Sequence, residues 1–212
     1  MNKKIKNILA NLKTVTEAEA KEIQQRKYSE KCFEQWNAPH RHAYQPILDH
    51  EGEWAKKFES IKVKLGNGFT IGICGGRGSG KTQMAVELMR ESIYQGRAAR
   101  YTSAISFFME IKATYRKGST ETEESVVKKY TSHPFLVIDE FSKRGESEWM
   151  NSLLFEMIDR RYAASTTLHK RDTLLCDNLE KADFITALGA SLASRMQETG
   201  GIIEANWKSY RA

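Results

Sequence analysis

The sequence predicts an α/β fold, a parallel five-stranded sheet between helices, preceded by a short helical N-terminal region. Three observations carry this reading. Five short segments read as strands, most of them apolar runs. The stretches between them hold helix-like spacing or loop signals, and strands that alternate with helices argue for a parallel sheet. Between the first strand and the helix after it stands a glycine-rich octapeptide, Gly75-Gly76-Arg77-Gly78-Ser79-Gly80-Lys81-Thr82. Sheets of this kind bind ligands at the carboxyl ends of their strands.

The elements follow in chain order. Residues 1 to about 35 read as helical, because Ile5, Ile8, Leu9 and Leu12 recur on one face. Asn37 to Pro46 contains two prolines and two histidines and reads as a linker. Trp54, Phe58 and Ile61 share one side of a short helix expected from about Glu51 to Ile61. Residues 1–45 are expected to form one region and residues 46–212 the sheet domain. Phe69 to Cys74, bounded by glycines, is the first buried strand. A helix from Thr82 to Gln95 ends at Gly96, where a left-handed cap is wanted. Arg100 to Thr102 reads as a strand, Ile105 to Arg116 as a helix and Gly118 to Thr122 as a polar loop. The third strand is Phe135-Leu136-Val137-Ile138, ending in Asp139. A long amphipathic helix from Glu146 to Tyr162 carries Trp149, Leu153, Met157 and Tyr162 near one face. Thr173 to Cys176 and Ile202 to Ala205 complete the strands.

Composition sets limits. Of 212 residues, 40% are hydrophobic and 28% charged, enough apolar material for a core. No run of eighteen uncharged apolar residues occurs, which excludes a membrane-spanning helix. The basic N-terminus leads into a stretch too polar for a signal peptide, so a cytoplasmic protein is expected. Cys32, Cys74 and Cys176 form no C-x-x-C pair, and His40 and His42 stand alone, so neither a disulfide framework nor a zinc site is indicated. The net charge of +6 is compatible with phosphate-rich partners.

The octapeptide fits G-x-x-x-x-G-K-[ST] without a mismatch. Glycines let the backbone wrap close to phosphates with its amides pointing inward, and the helix that follows adds its positive dipole end. Lys81 is expected to reach the β- and γ-phosphates of ATP, and the Thr82 hydroxyl to ligate Mg²⁺. Asp139, at the tip of a buried strand, is the second expected Mg²⁺ ligand. Glu140 beside it is placed to polarise an attacking water as general base. Asn178, just past the fourth strand, is a candidate for contact with the γ-phosphate or the lytic water, or else a turn residue. Arg195 is a candidate to neutralise transition-state charge from a neighbouring subunit, or else a surface arginine near a helix end.

From Phe69 onward the chain resembles the DnaC-type helicase loaders and their IstB transposition-helper relatives, within the AAA+ ATPases. The resemblance rests on residues 75–82, Lys112-Ala113-Thr114-Tyr115-Arg116, residues 136–140, Ile158-Asp159-Arg160-Arg161, Asn178, residues 188–196 and the tail Asn206-Trp207-Lys208-Ser209-Tyr210-Arg211. The phosphate loop and acidic pair are common to many ATPases; their combination with Ser194-Arg195-Met196 and the tail is much narrower. It implies a P-loop AAA+ core without a full C-terminal lid. Lys81, Thr82, Asp139, Glu140 and Asn178 match the family's ATP and Mg²⁺ machinery. Arg195 matches its arginine finger, which acts across a subunit boundary in an oligomer, and Arg211 its second sensor arginine. Lys112, Tyr115, Ser147 and Trp149 match positions that line a path for single-stranded DNA; for Tyr115 and Trp149, packing on a helix face is the competing role. Residues 1–45 would then grip a hexameric replicative helicase, or else pack on their own ATPase domain.

The expected function is an ATP-dependent helicase loader, with hydrolysis driving loading and release. The alternative is an IstB-like helper that serves a transposase on duplex DNA and shares every nucleotide-site residue. A small-molecule kinase would leave Arg195 and the aromatic-basic positions without a task. A non-catalytic nucleotide switch would be indifferent to loss of Glu140.

Overall fold

The computed structural model describes residues 20, 24, 27, 28, 31, 32, 35–43, 51–144, 147–166 and 168–210. The expected helical face of Ile5, Ile8, Leu9 and Leu12, the boundary near residue 45 and Arg211 all lie outside these residues. Pro39 opens a helical turn, α1 (His40–Ala43), whose first bonds run from the amides of His42 and Ala43 to its carbonyl. Part of the segment expected to be a linker is thus helical, because proline at a helix start has no amide to satisfy. α2 (Glu53–Lys62) buries Trp54, Phe58 and Ile61, as their spacing predicts.

Five parallel strands follow: β1 (Thr70–Cys74), β2 (Ala99–Ser103), β3 (Phe135–Asp139), β4 (Asp172–Cys176) and β5 (Gly201–Glu204). Their spatial order is β2-β3-β4-β1-β5. Every residue of β1, β3 and β4 is buried, which is why these segments read as continuous apolar runs. Alternate residues serve opposite faces. Ile71, Ile73, Phe135, Val137 and Leu174 join the core beneath α2 and α3 (Lys81–Tyr94). Leu136, Ile138 and Leu175 join the core beneath α4 (Ala104–Thr114), α5 (Glu123–Ser132), α6 (Glu148–Ala163) and α7 (Lys181–Thr199).

Two helices go beyond the sequence reading. α5 starts with a reciprocal cap, in which Thr122 and Ser125 each accept the other's backbone amide through their hydroxyls. α7 seats on β1 at Gly72, where a Cβ would stand only 2.5 Å from Phe184 Cε1 and 2.7 Å from Met196 Cε. It breaks at Gly189, and the Arg144 guanidinium donates to the nearby Ala187 carbonyl at 2.6 Å.

The amino-terminal ends of the strands are locked by buried polar groups. The Asp172 carboxylate accepts the amides of Gly66, Gly68 and Phe69 and an Arg97 guanidinium N–H. The fully buried Arg161 donates to Thr173 Oγ1 and to the carbonyls of Tyr130, His133 and Asp172. Burial pushes its guanidinium below the usual arginine range. Among the described residues, no helix is long and apolar enough to cross a membrane. The opposite, carboxyl-terminal edge of the sheet carries the cavity.

Candidate nucleotide site

The register pairs Asp139 with Ser103 of β2 and Ile138 with Leu175 of β4, and the loop that follows β1 rises on the other side of β4. Above them opens a cavity of about 880 Å³, within the usual range for ligand sites. Its wall holds Arg77, Gly78, Gly80, Lys81 and Thr82 from the glycine-rich loop, Asp139 at the end of β3 with Glu140 just after it, and Asn178 from beyond β4. Pro39, Arg41 and His42 enter from the α1 turn, Tyr101 and Ser103 from β2, and Tyr210 from the tail.

The loop is held closely. Gly75 has a φ of +123°, and a Cβ there would stand 2.8 Å from the Ala205 carbonyl oxygen, so a larger residue meets both strain and collision. Gly76 is exposed at the loop's entry, and the Ser79 hydroxyl donates to its carbonyl at 2.9 Å. Lys81 Nζ donates to the carbonyls of Gly75 and Gly76, each at 2.7 Å. Burial lowers the Lys81 pKa, while Cys176, Asp139 and Asp177 oppose that shift. A buried ammonium with acidic neighbours is a strong anchor for phosphate oxygens.

Asp139 is the hub of the opposite wall. Its Oδ2 accepts from Thr82 Oγ1 at 2.7 Å and from the Tyr101 hydroxyl at 2.8 Å, and its Oδ1 accepts from the Glu140 amide. Burial and the Asp139 charge push the Tyr101 phenol far up, so it stays a donor. The Thr82 hydroxyl and Asp139 carboxylate are hard oxygen donors beside the phosphate loop. That set fits Mg²⁺, which takes one or two protein oxygens and leaves the rest to phosphate and water. Glu140 has a φ of +51°, unusual for a non-glycine residue, and its carboxylate pairs with Lys143.

Asn178 sits between two anchored neighbours. Asp177 accepts from the Ser142 amide and hydroxyl, and the Leu179 carbonyl accepts the Gly75 amide at 2.8 Å. These bonds tie the acidic turn, β4 and the glycine-rich loop together. Arg195 does not line this chain's cavity; it pairs with Asp159 and lies 5.2 Å from the Tyr162 ring centre. Lys112 and Ser147 are exposed, and Ser147 precedes α6. Tyr115 and Trp149 are 61% and 42% exposed, their rings 6.3 Å apart, so neither belongs to the core. The Tyr115 hydroxyl hydrogen-bonds Glu123, which helps push its pKa up to about 12.

Sequence reasoning had missed several contributors. Tyr101 looked like an ordinary strand residue, and Asp177 and Lys143 belong to no motif. The spacing of Trp54 predicts helix-face packing, and its indole N–H also donates to the Gly80 carbonyl at 3.1 Å. Trp207 stood within the tail motif, and its N–H donates to the Ser79 carbonyl at 2.7 Å. The α1 turn docks through a network that nothing local announces: Gln83 donates to the His42 carbonyl and Arg90 to the Ala43 carbonyl.

The model of IstB-like ATP binding proteins matches residues 66–212. A replicative helicase loader DnaC of Buchnera aphidicola is 25% identical over 170 residues, covering 77% of this chain and 66% of that protein. The loader of the same name from Escherichia coli K12 is 26% identical over 136 residues, covering 64% of this chain and 53% of that protein. The chain therefore spans about half to two thirds of the length of these relatives. A crystal structure of the DnaC helicase loader superposes with a TM-score of 0.61 at 20% identity, over 78% of this chain and 99% of the other.

Proposed function

We propose that this chain, which belongs to the IstB-like ATP binding protein family and has an AAA+ P-loop fold, is an ATP-hydrolysing loader of a replicative DNA helicase. ATP and Mg²⁺ occupy the cavity above the glycine-rich loop. The loop amides and Lys81 hold the phosphates, and Thr82 and Asp139 hold the metal, which neutralises phosphate charge when bound. Glu140 accepts a proton from the attacking water, and this requires its carboxylate to leave Lys143. Asn178 orients that water or the terminal phosphate. Arg195, paired with Asp159 in its own chain, reaches the cavity of the next subunit in an oligomer, and Arg211 acts as a second sensor. The region 1–45 engages the helicase.

The observation that supports a DNA role is the exposed pair of aromatic rings, Tyr115 and Trp149, with the basic Lys112 one helical turn before Tyr115. Unpaired bases have free faces to stack on such rings, whereas the bases of a duplex are stacked on one another. The pair therefore favours single-stranded DNA and a loader over a transposase helper acting on duplex. Fluorescence anisotropy with a labelled oligothymidine and a labelled duplex tests this. The double variant Tyr115→Ala/Trp149→Ala is expected to weaken single-strand affinity by about 2–4 kcal/mol. A wild-type preference for duplex, or unchanged single-strand affinity in the variant, overturns the reading. A pull-down of the helicase by full-length protein, lost on removing residues 1–45, tests the partner.

A further inference from the structure

A backbone loop that points its amides at phosphate must turn its carbonyls outward, and each buried carbonyl then needs a donor. Lys81 and Ser79 serve the carbonyls of Gly75 and Gly76 from within the loop, but the next three residues with bonded carbonyls also draw donors from distant segments. The Gly78 carbonyl accepts the Tyr210 amide at 2.9 Å. The Ser79 carbonyl accepts Trp207 Nε1–H at 2.7 Å, and the Gly80 carbonyl, which also accepts the Met84 amide of α3 at 2.9 Å, accepts Trp54 Nε1–H at 3.1 Å. Three successive carbonyls are thus bonded by groups on α2, before the sheet, and on the tail after β5. The tail is itself tied down, since the Ala205 amide donates to the Cys74 carbonyl at 2.7 Å.

The indole is suited to this use. Its nitrogen is a donor only and its ring is rigid, so once packed it fixes the direction of the carbonyl it meets. Trp54 is fully buried and stacked on Phe58 with ring centres 5.4 Å apart. Trp207 packs against the same core.

We infer that Trp54 and Trp207 are positioning residues of the nucleotide site, bracing the carbonyls of Gly80 and Ser79 outward so that the amides of the same turn stay aimed at phosphate. The tail from Ala205 to Tyr210 is thereby a working part of the site. This rests on the reading of the loop as an ATP site.

Phenylalanine keeps an aromatic ring and removes the N–H, so Trp54→Phe and Trp207→Phe are the test variants. Calorimetric titration with ATP·Mg²⁺ and with inorganic tripolyphosphate·Mg²⁺ is run at a temperature where circular dichroism shows each variant folded. Each substitution is expected to weaken both ligands about tenfold, in line with one hydrogen bond lost. In ¹⁵N spectra of the wild type, the Trp54 and Trp207 indole N–H resonances are expected to shift when ATP·Mg²⁺ is added. Variants that melt earlier yet bind both ligands with wild-type affinity overturn the bracing role, leaving the tryptophans as packing alone. A loss confined to ATP, with tripolyphosphate binding intact, also overturns it, because the effect would then lie on the base. A wild type that binds neither ligand removes the ATP reading itself, and the brace with it.

Discussion

Glu140 shows how much is asked of one residue. Its backbone stands in the left-handed region, its amide donates to Asp139, and its side chain turns to Lys143. Non-glycine residues hold such a conformation where surrounding bonds impose it, and here the Ser142–Asp177 bonds anchor the turn two residues on. If its carboxylate is the general base, Glu140→Gln keeps the shape and hydrogen-bonding reach and loses only the basicity. We expect this variant to bind ATP as the wild type does and to hydrolyse it about 10²–10⁴-fold more slowly. Single-turnover kinetics beside a binding titration separates the two, and unimpaired turnover would return Glu140 to a merely structural place. The contiguous motifs were legible at this scale because a phosphate loop and an acidic strand end each need neighbouring residues. Tyr101 and Asp177 were not, since their meaning arises only where β2, β3 and β4 end side by side.

At the scale of elements, the sheet has one end locked by buried polar groups and the other open to the cavity. The Asp172 carboxylate gathers three amides of the chain entering β1 and the Arg97 guanidinium, with no exposed surface. Asp172→Ala leaves those donors buried without an acceptor, and we expect it to destabilise the fold by about 3–5 kcal/mol in denaturant unfolding. A loss under about 1 kcal/mol would mean that water replaces the carboxylate there. The buried strands were plain in the sequence because both faces are covered and nearly every position is apolar. α5 was hidden by its charged, solvent-facing residues, although Thr122 and Ser125 at its start are good capping residues. α7 was hidden differently. Phe184, Leu188, Leu192 and Met196 recur every four residues, but Gly189 stands among them and breaks the helix in the structure as well. The α1 turn, marked by prolines as a connection, proved to be a wall of the cavity because Gln83 and Arg90 hold it there.

At the scale of the whole molecule, Arg195 and the cavity are separate. Arg195 stays with Asp159 and Tyr162, off the cavity wall of its own chain, and the role proposed for it in hydrolysis is accordingly one across a subunit boundary. Arg195→Ala is expected to bind ATP normally and to lower the steady-state hydrolysis rate about 10³-fold or more, the range seen for arginine fingers. Wild-type protein mixed with increasing shares of this variant, at constant total concentration, should lose activity in a curve that departs from simple dilution. Full activity of the pure variant would remove Arg195 from the reaction.

The strand order has a consequence for how the protein is made. β1 lies between β4 and β5, whose first residues come about a hundred or more positions later in the chain. A nascent polypeptide that has left the ribosome only as far as residue 170 therefore carries its glycine-rich loop on a strand with neither neighbour. The tryptophan after β5 arrives later still. Because chains emerge from the amino end, a nucleotide bound as proposed cannot assist the early steps of folding on the ribosome; it can stabilise only chains in which β4 and β5 have already emerged.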